Sequence, residues 1–424
     1  MRPPVVLTEY IPSEPVALNV AQRDALGRLV KGLTITPAVA STDTYTLTSS
    51  STVGVARVGN LTLELRPKIG VAPVLFLISY ALNPKSWKLD QAQLARDANL
   101  AEAVIPLFTR TVQQAIRPGL LHGYRRCEDA LTRVRGRVRI TDQFRTRTGL
   151  PLPVEVVYDD FTPDILENRL LRTAVDILGR LYLRHEDSRT SLARLHLQLN
   201  GISNLAPDRR DVPEPHWTRL NERYRPAVAL ARLIISTAGL EARTGGVDAS
   251  VFLIDMNAVF ERFIRVALRE ALRLDVHAFP RAARGHSVHL DANGEIRLEP
   301  DLSWWTDDGC VFVGDCKYKK TEDSIPNADV YQMLAYLTAL RLTRGLLVYA
   351  AGEDVPHTIT IPFADKRVLV RTLDVSQEPN DVLTQIAKLA SLIRAISTYQ
   401  LGVTREVPDT LAIPPVYLER VKAK

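Results

Sequence analysis

Cysteine is nearly absent: Cys127, Cys310 and Cys316 are the only three in 424 residues. An odd, sparse set makes no disulfide framework, and without a Cys-x-x-Cys pair it makes no zinc knuckle. Such usage suits a reducing, cytoplasmic compartment. Long apolar runs are missing too. The longest, VAPVLFLISYAL over 71–82, is too short to span a bilayer and the right length for a buried helix. The amino-terminal MRPPVVLTEYIPSEP lacks the apolar stretch of a signal peptide, so no membrane partner is expected. None of the eight histidines stands in a His-Glu-x-x-His pattern, there is no Gly-x-Ser-x-Gly element, and no Gly-x-Gly-x-x-Gly follows a strand. Those absences argue against a zinc protease, a serine hydrolase and a dinucleotide enzyme. No Gly-Lys pair occurs anywhere, which removes a Walker A loop. No nucleotide is therefore expected to bind to this chain itself.

Lysine is the other scarce residue, with 11 against 43 arginines. Three of the 11 crowd into one place, Lys317, Lys319 and Lys320. Hydrophobic residues make up 46 %, enough for a sizeable core and for roughly two or three domains. The net charge of +6 and pI of about 9.2 permit a nucleic-acid partner without demanding one.

The patterning predicts an α+β, multidomain chain in three regions. Residues 1–120 are β-rich and then helical. Period-two stretches run from 33 to 66, a turn-like Ala-Ser-Thr-Asp lies at 40–43, and Pro67-Lys68 closes the sheet. Helices are expected at 71–82 and about 92–117. Residues 121–244 are mostly helical, with apolar helical spacing over 161–186 and about 215–240. Within RRCEDALTRVRGRVRI, strict alternation puts Arg133, Arg135, Arg137 and Arg139 on one face of a strand. Four guanidinium groups on one face would meet DNA phosphates, an acidic partner surface, or simply solvent and local acids. Thr244-Gly245-Gly246 marks the boundary to a last region, 245–424. There the order is a helix at 257–272, strands at 296–305 and 310–318 joined by Thr306-Asp307-Asp308-Gly309, then a helix capped by Asp329. Strands at 346–351, 357–361 and 367–375 and a helix at 380–397 follow. That order predicts an α/β domain with a mixed sheet.

The chemistry lies in EPDLSWWTDDGCVFVGDCKYKK, 299–320. Asp301 is placed late in the first strand and Asp315 late in the second. Asp315 and Lys317, two apart, share a strand face, and the hairpin brings Asp301 beside them. Two close carboxylates repel, and a hard divalent cation relieves that; Mg²⁺ takes one or two carboxylates and accepts phosphate oxygens. Lys317 can then orient or deprotonate a water, or stabilise charge on phosphorus. Lys319, on the same face, is either a phosphate contact or a solvated lysine. Trp304 and Trp305 are read as core before stacking surface.

Pro300-Asp301, thirteen residues, then Asp315-Cys316-Lys317 resembles the motif of PD-(D/E)xK nucleases. Glu261, in the preceding helix, falls where that superfamily often has a further acidic metal residue. Gln332 and Tyr336, four apart on the following helix, resemble the Gln-xxx-Tyr element of its RecB-like branch. Further segments narrow the likeness: LELRPKIGVAPVLFLISYAL (63–82), RVRGRVRI (133–140), YDDFTPDILENRLLR (158–172), FERFI (260–264), GDCKYK (314–319) and DVYQMLAY (329–336). Together they look like McrC, the nuclease subunit of McrBC-type modification-dependent restriction systems, over roughly residues 50 to 350.

The resemblance implies a PD-(D/E)xK fold at the carboxyl end and a Mg²⁺-dependent endonuclease, with Mn²⁺ as a possible substitute. Asp301, Asp315 and Lys317 would be catalytic, Glu261 would assist at the metal, and Gln332 and Tyr336 would support. Cleavage of double-stranded DNA would leave 5′-phosphate and 3′-hydroxyl ends. The resemblance also implies a partner, a hexameric AAA+ GTPase of the McrB type, met by the β-rich amino-terminal region. The Arg133–Arg139 face and Lys319 would touch that partner or DNA. Two other readings stay open from sequence: an adaptor without catalysis that activates an AAA+ partner, and a nuclease of another defence or repair system.

Overall fold

The computed structural model describes residues 3–38, 43–84, 99–146, 152–181, 183, 185–205, 211–239, 249–319, 325–350 and 357–402. Along these run β1 (Val5–Thr8), β2 (Val16–Ala17), α1 (Val20–Leu29), β3 (Leu33–Pro37), β4 (Thr44–Ser49), β5 (Thr52–Val58), β6 (Leu61–Arg66) and α2 (Val71–Leu82). Then come α3 (Leu100–Ile116), β7 (Gly123–Leu131), β8 (Arg137–Val138), α4 (Ile140–Thr146), β9 (Val154–Thr162), α5 (Leu166–Gly179), α6 (Glu186–Gln198), α7 (Arg225–Thr237), β10 (Ala238–Gly239) and β11 (Ala249–Asp255). The last stretch holds α8 (Met256–Leu272), β12 (Leu302–Thr306), β13 (Gly309–Lys317), α9 (Asn327–Ala339), β14 (Arg344–Ala350), β15 (His357–Ile361), β16 (Lys366–Leu373) and α10 (Pro379–Gln400). No helix among the described residues is long and apolar enough to cross a membrane.

The described residues form two compact units. One draws on Met1–Ala56, Asn60–Leu100 and Leu253–Lys424. Its carboxyl-terminal sheet has the order β12-β13-β14-β16-β15. The β12/β13 and β15/β16 pairs are antiparallel, while β14 runs parallel to both neighbours, so the sheet is mixed as expected. Central β14 reads RGLLVYA and is buried along its whole length, which is why its apolar run is continuous rather than alternating. Helix α9 lies on the face made by Val313, Leu347, Tyr349, Val368 and Val370, with Met333, Tyr336 and Leu337 in the same core. It comes very close at Gly345, where a Cβ would stand 2.6 Å from Met333 Sδ. Helices α8 and α10 also pack on this sheet, and Arg394 of α10 donates to the last carbonyls of α8, Ala271 and Leu272.

Helix α8 is built as its sequence demands. Its pairs 259/260, 263/264, 267/268 and 271/272 are all buried, each large side chain worth about 1.5–3 kcal/mol on transfer from water. Asp255 caps it, accepting from Asn257 N at 2.9 Å. Phe263 meets Phe76 and Tyr80 of α2 edge-on, at 5.4 and 5.6 Å. In the amino-terminal part of this unit β1 pairs in parallel with β6, and β2, β4 and β3 form an antiparallel sheet.

The other unit, Arg57–Gly59 and Ala101–Phe252, is mostly helical and also holds a three-stranded sheet, β7-β9-β8, and the antiparallel pairing of β10 with β11. Several expectations change here. The alternating basic stretch is not one strand: β7 ends at Leu131, 132–136 is a turn region, and only Arg137 and Val138 pair again, with Val157 and Val156. Gly136, at φ +73°, breaks the alternation; a Cβ there would fall 2.3 Å from Val157 O. The helix expected over 161–186 starts only at Leu166, because Phe161 and Thr162 are still paired with Tyr124 and Gly123 and Pro163 cannot continue the ladder. The segments at 92–98, 40–42 and the Thr244-Gly245-Gly246 boundary lie outside the described residues.

Two corrections touch the site. Strand β12 begins at Leu302, not 296, since Pro300 has no N–H for a ladder, so Asp301 precedes the strand instead of ending it. Asp329 does not cap α9. Pro326 holds that position, and Asp329 is buried in the first turn.

Candidate active site

Register places the acids. In the β12/β13 hairpin Leu302 pairs with Gly314, so Asp301 and Asp315 are the next residues out and face each other. The two carboxyl groups lie close enough that each bears on the other's ionisation. Asp301 Oδ2 accepts from Cys316 N at 3.0 Å. Asp315 is 2 % exposed. Its Oδ2 lies 2.6 Å from Lys317 Nζ, a charge contact in which no donor is aligned for a hydrogen bond.

From Lys317 a chain of bonds runs back to the start of the hairpin. Lys317 Nζ donates to Gln332 Oε1 at 2.9 Å, and Gln332 Nε2 donates to Tyr336 Oη at 2.7 Å. Tyr336 in turn donates to the carbonyl of Glu299 at 3.3 Å, two residues before Asp301. The i, i+4 spacing of Gln332 and Tyr336 puts both on the α9 face that meets β13. The residues that sequence reasoning singled out, Asp301, Asp315, Lys317, Gln332 and Tyr336, thus form one connected set.

The electrostatics follow from burial. Asp301 is pushed up to about 8, first by desolvation and then by the charges of Asp315 and Glu261. Desolvation also raises Asp315, against the pull of Lys317. For Lys317, burial works against the ammonium, but Asp315 outweighs it and the net direction is upward. Lys317 is therefore a cationic donor in this arrangement. The neighbouring thiol of Cys316 is driven well up by burial and by Asp301 and Asp315, which makes it inert.

Glu261 is within electrostatic reach of Asp301, yet its carboxylate is ion-paired to Arg265 one turn on. Arg265 is itself buried. Among the described residues no three His, Cys, Asp or Glu side chains converge as a ready cation cage. The acids instead stand as a touching pair plus a third, neutralised by Lys317 and Arg265. The pair still fits a hard cation, since two buried, mutually repelling carboxylates with a non-hydrogen-bonded oxygen gain most from a divalent charge.

A protein-family model, the McrBC 5-methylcytosine restriction system component, matches residues 47–350. This chain belongs to that family. No curated protein matches the sequence. A chain of an assembly from Thermococcus gammatolerans, described as McrB AAA+ hexamers with bound McrC, has a similar fold at 18 % identity and TM-score 0.55. The likeness covers 91 % of this chain and 98 % of that one. A chain of the McrBC complex from the same organism, seen by cryo-EM, is 23 % identical over 64 % of this chain and 88 % of that one, at a TM-score of 0.42.

Three further residues of this McrBC-family chain were not legible as parts of the site. Arg265 holds Glu261, and the signal for it was the i, i+4 spacing. Asp329, buried, accepts from Tyr349 Oη at 2.6 Å and stands 2.7 Å from Lys319 Nζ. Lys319 is therefore tied into the first turn of α9. The Glu299 carbonyl could not be foreseen at all. Trp305 lies flat on His286, with ring centroids 3.7 Å apart and 2° between planes. In the other unit the four arginines divide. Arg135 binds Asp160 at 2.6 Å and lies over Tyr158, and Arg139 binds Glu128 and Asp142. Arg133 and Arg137 are exposed.

Proposed function

We propose that this chain is the nuclease subunit of a McrBC-type system, with a PD-(D/E)xK fold over its carboxyl-terminal sheet. It hydrolyses phosphodiester bonds of modified double-stranded DNA and depends on Mg²⁺, with Mn²⁺ as a substitute. The observation that carries the reading is the meeting of Asp301, Asp315 and Lys317 at the open end of one hairpin, locked to Gln332 and Tyr336. Asp301 and Asp315 would hold the ion, with Glu261 adding charge from α8. When bound, the ion supplies Lewis-acid polarisation of the scissile phosphate and activation of a water. Lys317 contributes a fixed positive charge beside the acids, where negative charge develops on phosphorus. Gln332 and Tyr336 hold that ammonium in place, so little reorganisation is needed at the moment of reaction.

Family membership, and a similar fold in an assembly of McrB hexamers with bound McrC, support an AAA+ GTPase of the McrB type as partner, stimulated by this chain. The lack of a Gly-Lys pair is consistent with a motor carried on another chain.

The test is cleavage of a supercoiled plasmid bearing 5-methylcytosine by this protein and its AAA+ partner, with GTP and Mg²⁺. Asp315→Ala is expected to abolish cutting and leave the stimulation of GTP hydrolysis intact. Stimulated GTP turnover with no cutting by the unmodified protein would establish an adaptor and remove the catalytic role from Asp301, Asp315 and Lys317.

A further inference from the structure

The residue after Lys317 is enclosed by the fold. Tyr318 is 1 % exposed, and its hydroxyl donates to Glu9 Oε2 at 3.2 Å. Glu9 follows β1 and is 2 % exposed. The same Oε2 accepts from Lys68 N at 2.8 Å, and Glu9 N donates to Arg66 O at 3.1 Å, so Glu9 is fastened to the end of β6. Lys68 Nζ lies 4.4 Å from the centroid of the Tyr318 ring and 5.2 Å from that of Tyr10. Tyr10 Oη in turn donates to the Tyr318 carbonyl at 3.4 Å. On another side the Tyr318 ring meets Phe260, the residue before Glu261, at 5.8 Å.

A second tie joins the amino-terminal region, at the β4–β5 turn, to the start of α8. Ser51, between β4 and β5, accepts from Met256 N at 2.9 Å, and its hydroxyl accepts from Asn257 Nδ2. Both elements that carry the acids, β13 and α8, are thus held from the amino-terminal sheets.

A buried carboxylate is an expensive way to hold a tyrosine. Glu9 Oε1 has no hydrogen-bond partner, so its desolvation is only partly repaid. A methyl or phenyl contact would fill the space more cheaply. What the carboxylate adds is direction: Tyr318 Oη and Lys68 N must both point at one oxygen. Tyr318 is continuous with Lys317 along the backbone, so its position sets where Lys317 and Asp315 stand against Asp301.

We infer that Glu9 and Tyr318 are positioning residues, through which the amino-terminal strands set the geometry of the Asp301–Asp315–Lys317 site. The role rests on the reading of Asp301 and Asp315 as the divalent-cation site.

The experiment measures Mn²⁺ binding to the full chain by electron paramagnetic resonance of the free ion, and plasmid cleavage with the partner. The variants are Tyr318→Phe, Glu9→Gln, Glu9→Ala, the Tyr318→Phe/Glu9→Ala double variant, and Asp315→Ala as the control. Tyr318→Phe is expected to weaken Mn²⁺ binding roughly 3- to 10-fold, less than the loss of a group bonded directly to a ligand. It lowers kcat for cleavage and leaves KM for DNA in place. Glu9→Gln keeps an acceptor oxygen for both donors and stays within about twofold of the unmodified chain. Glu9→Ala, which also leaves Lys68 N without its acceptor, weakens Mn²⁺ binding at least as much as Tyr318→Phe, and the double variant is no worse than Glu9→Ala, because the Tyr318–Glu9 bond is already gone. If Glu9→Ala does not fold, Tyr318→Phe still decides, since it deletes one oxygen and keeps the ring. A lowered melting temperature with Mn²⁺ affinity and kcat unchanged would overturn the inference and leave a purely structural bond. If Asp315→Ala also left Mn²⁺ binding unchanged, the site reading itself would fall. Loss of binding in Asp315→Ala alone would sink only the role of Glu9 and Tyr318.

Discussion

Asp301→Asn should make the metal-free protein more stable while destroying its proposed activity, and the gain should grow with pH. Asp301 Oδ2 accepts from Cys316 N, and an asparagine oxygen can keep that bond. The new amide can donate to the facing Asp315, where two carboxylates would repel. Asn therefore mimics the protonated acid. The magnitude follows from proton linkage. The folded value is about 8, above the ordinary 3.8, because burial and the charges of Asp315 and Glu261 oppose ionisation. A group raised in the folded state favours folding fully below its unfolded value and loses that contribution as pH rises through the folded one. Stability of the unmodified chain should thus fall between about pH 4 and pH 8 and level off above. Each tenfold change in proton affinity is about 1.4 kcal/mol, so the limit is ~6 kcal/mol; relaxation and water entry reduce this to about 2–4 kcal/mol. At about 2–4 °C per kcal/mol the unit that contains the site should melt several degrees higher in Asp301→Asn at pH 8.5, with little difference near pH 4. The assay is a thermal melt in EDTA across that range, repeated with Mg²⁺. Added Mg²⁺ should stabilise the unmodified chain more as pH rises, since the ion displaces protons, and should do little for Asp301→Asn. Equal melting of both proteins at pH 8.5 in EDTA, or a gap that does not widen with pH, would refute the reasoning.

Four other perturbations test further links. Gln332→Leu cuts the bridge between Lys317 and Tyr336; it should cost about 1–2 kcal/mol in denaturant unfolding and lower kcat for cleavage about 10-fold through a looser Lys317. Gly345→Ala would force a Cβ to within 2.6 Å of Met333 Sδ, an overpacking worth about 1–3 kcal/mol; unchanged stability by denaturant titration would show that α9 is not held so closely. Arg133→Glu with Arg137→Glu, both exposed, should weaken DNA or partner binding and reduce its salt dependence by about one counterion for each phosphate no longer neutralised. Arg135→Ala should instead cost stability, because Arg135 is already bound to Asp160 and Tyr158.

Local signals carried much of the architecture. The 71–82 helix and the 357–361 strand stand where periodicity placed them, because each is decided by which side chains must leave water. The Thr306–Gly309 turn lies where its residue types demand, and with it the approach of Asp301 to Asp315. Errors arose where one residue overrode the pattern. Gly136 ended an alternation of arginines that otherwise read as a strand, and Pro300 delayed β12 past Asp301. Asp329 has the composition of a cap, but a buried tyrosine hydroxyl and Lys319 claim it.

The sequence by itself therefore determined the chemistry available: two carboxylates and a lysine at hairpin spacing, a glutamine and a tyrosine one helical turn apart, and no motor motif. Those are short-range facts, set by the two-residue period of a strand and the near four-residue period of a helix. Only the tertiary structure decided how the groups are held. Which cation neutralises Glu261 or Asp315, and how far Asp301 is raised, depend on burial by elements distant in the chain. That Glu9, 309 residues away, grips Tyr318 depends on the same thing. Burial and contact between remote segments are created by the folded packing, and no local pattern of residue types records them.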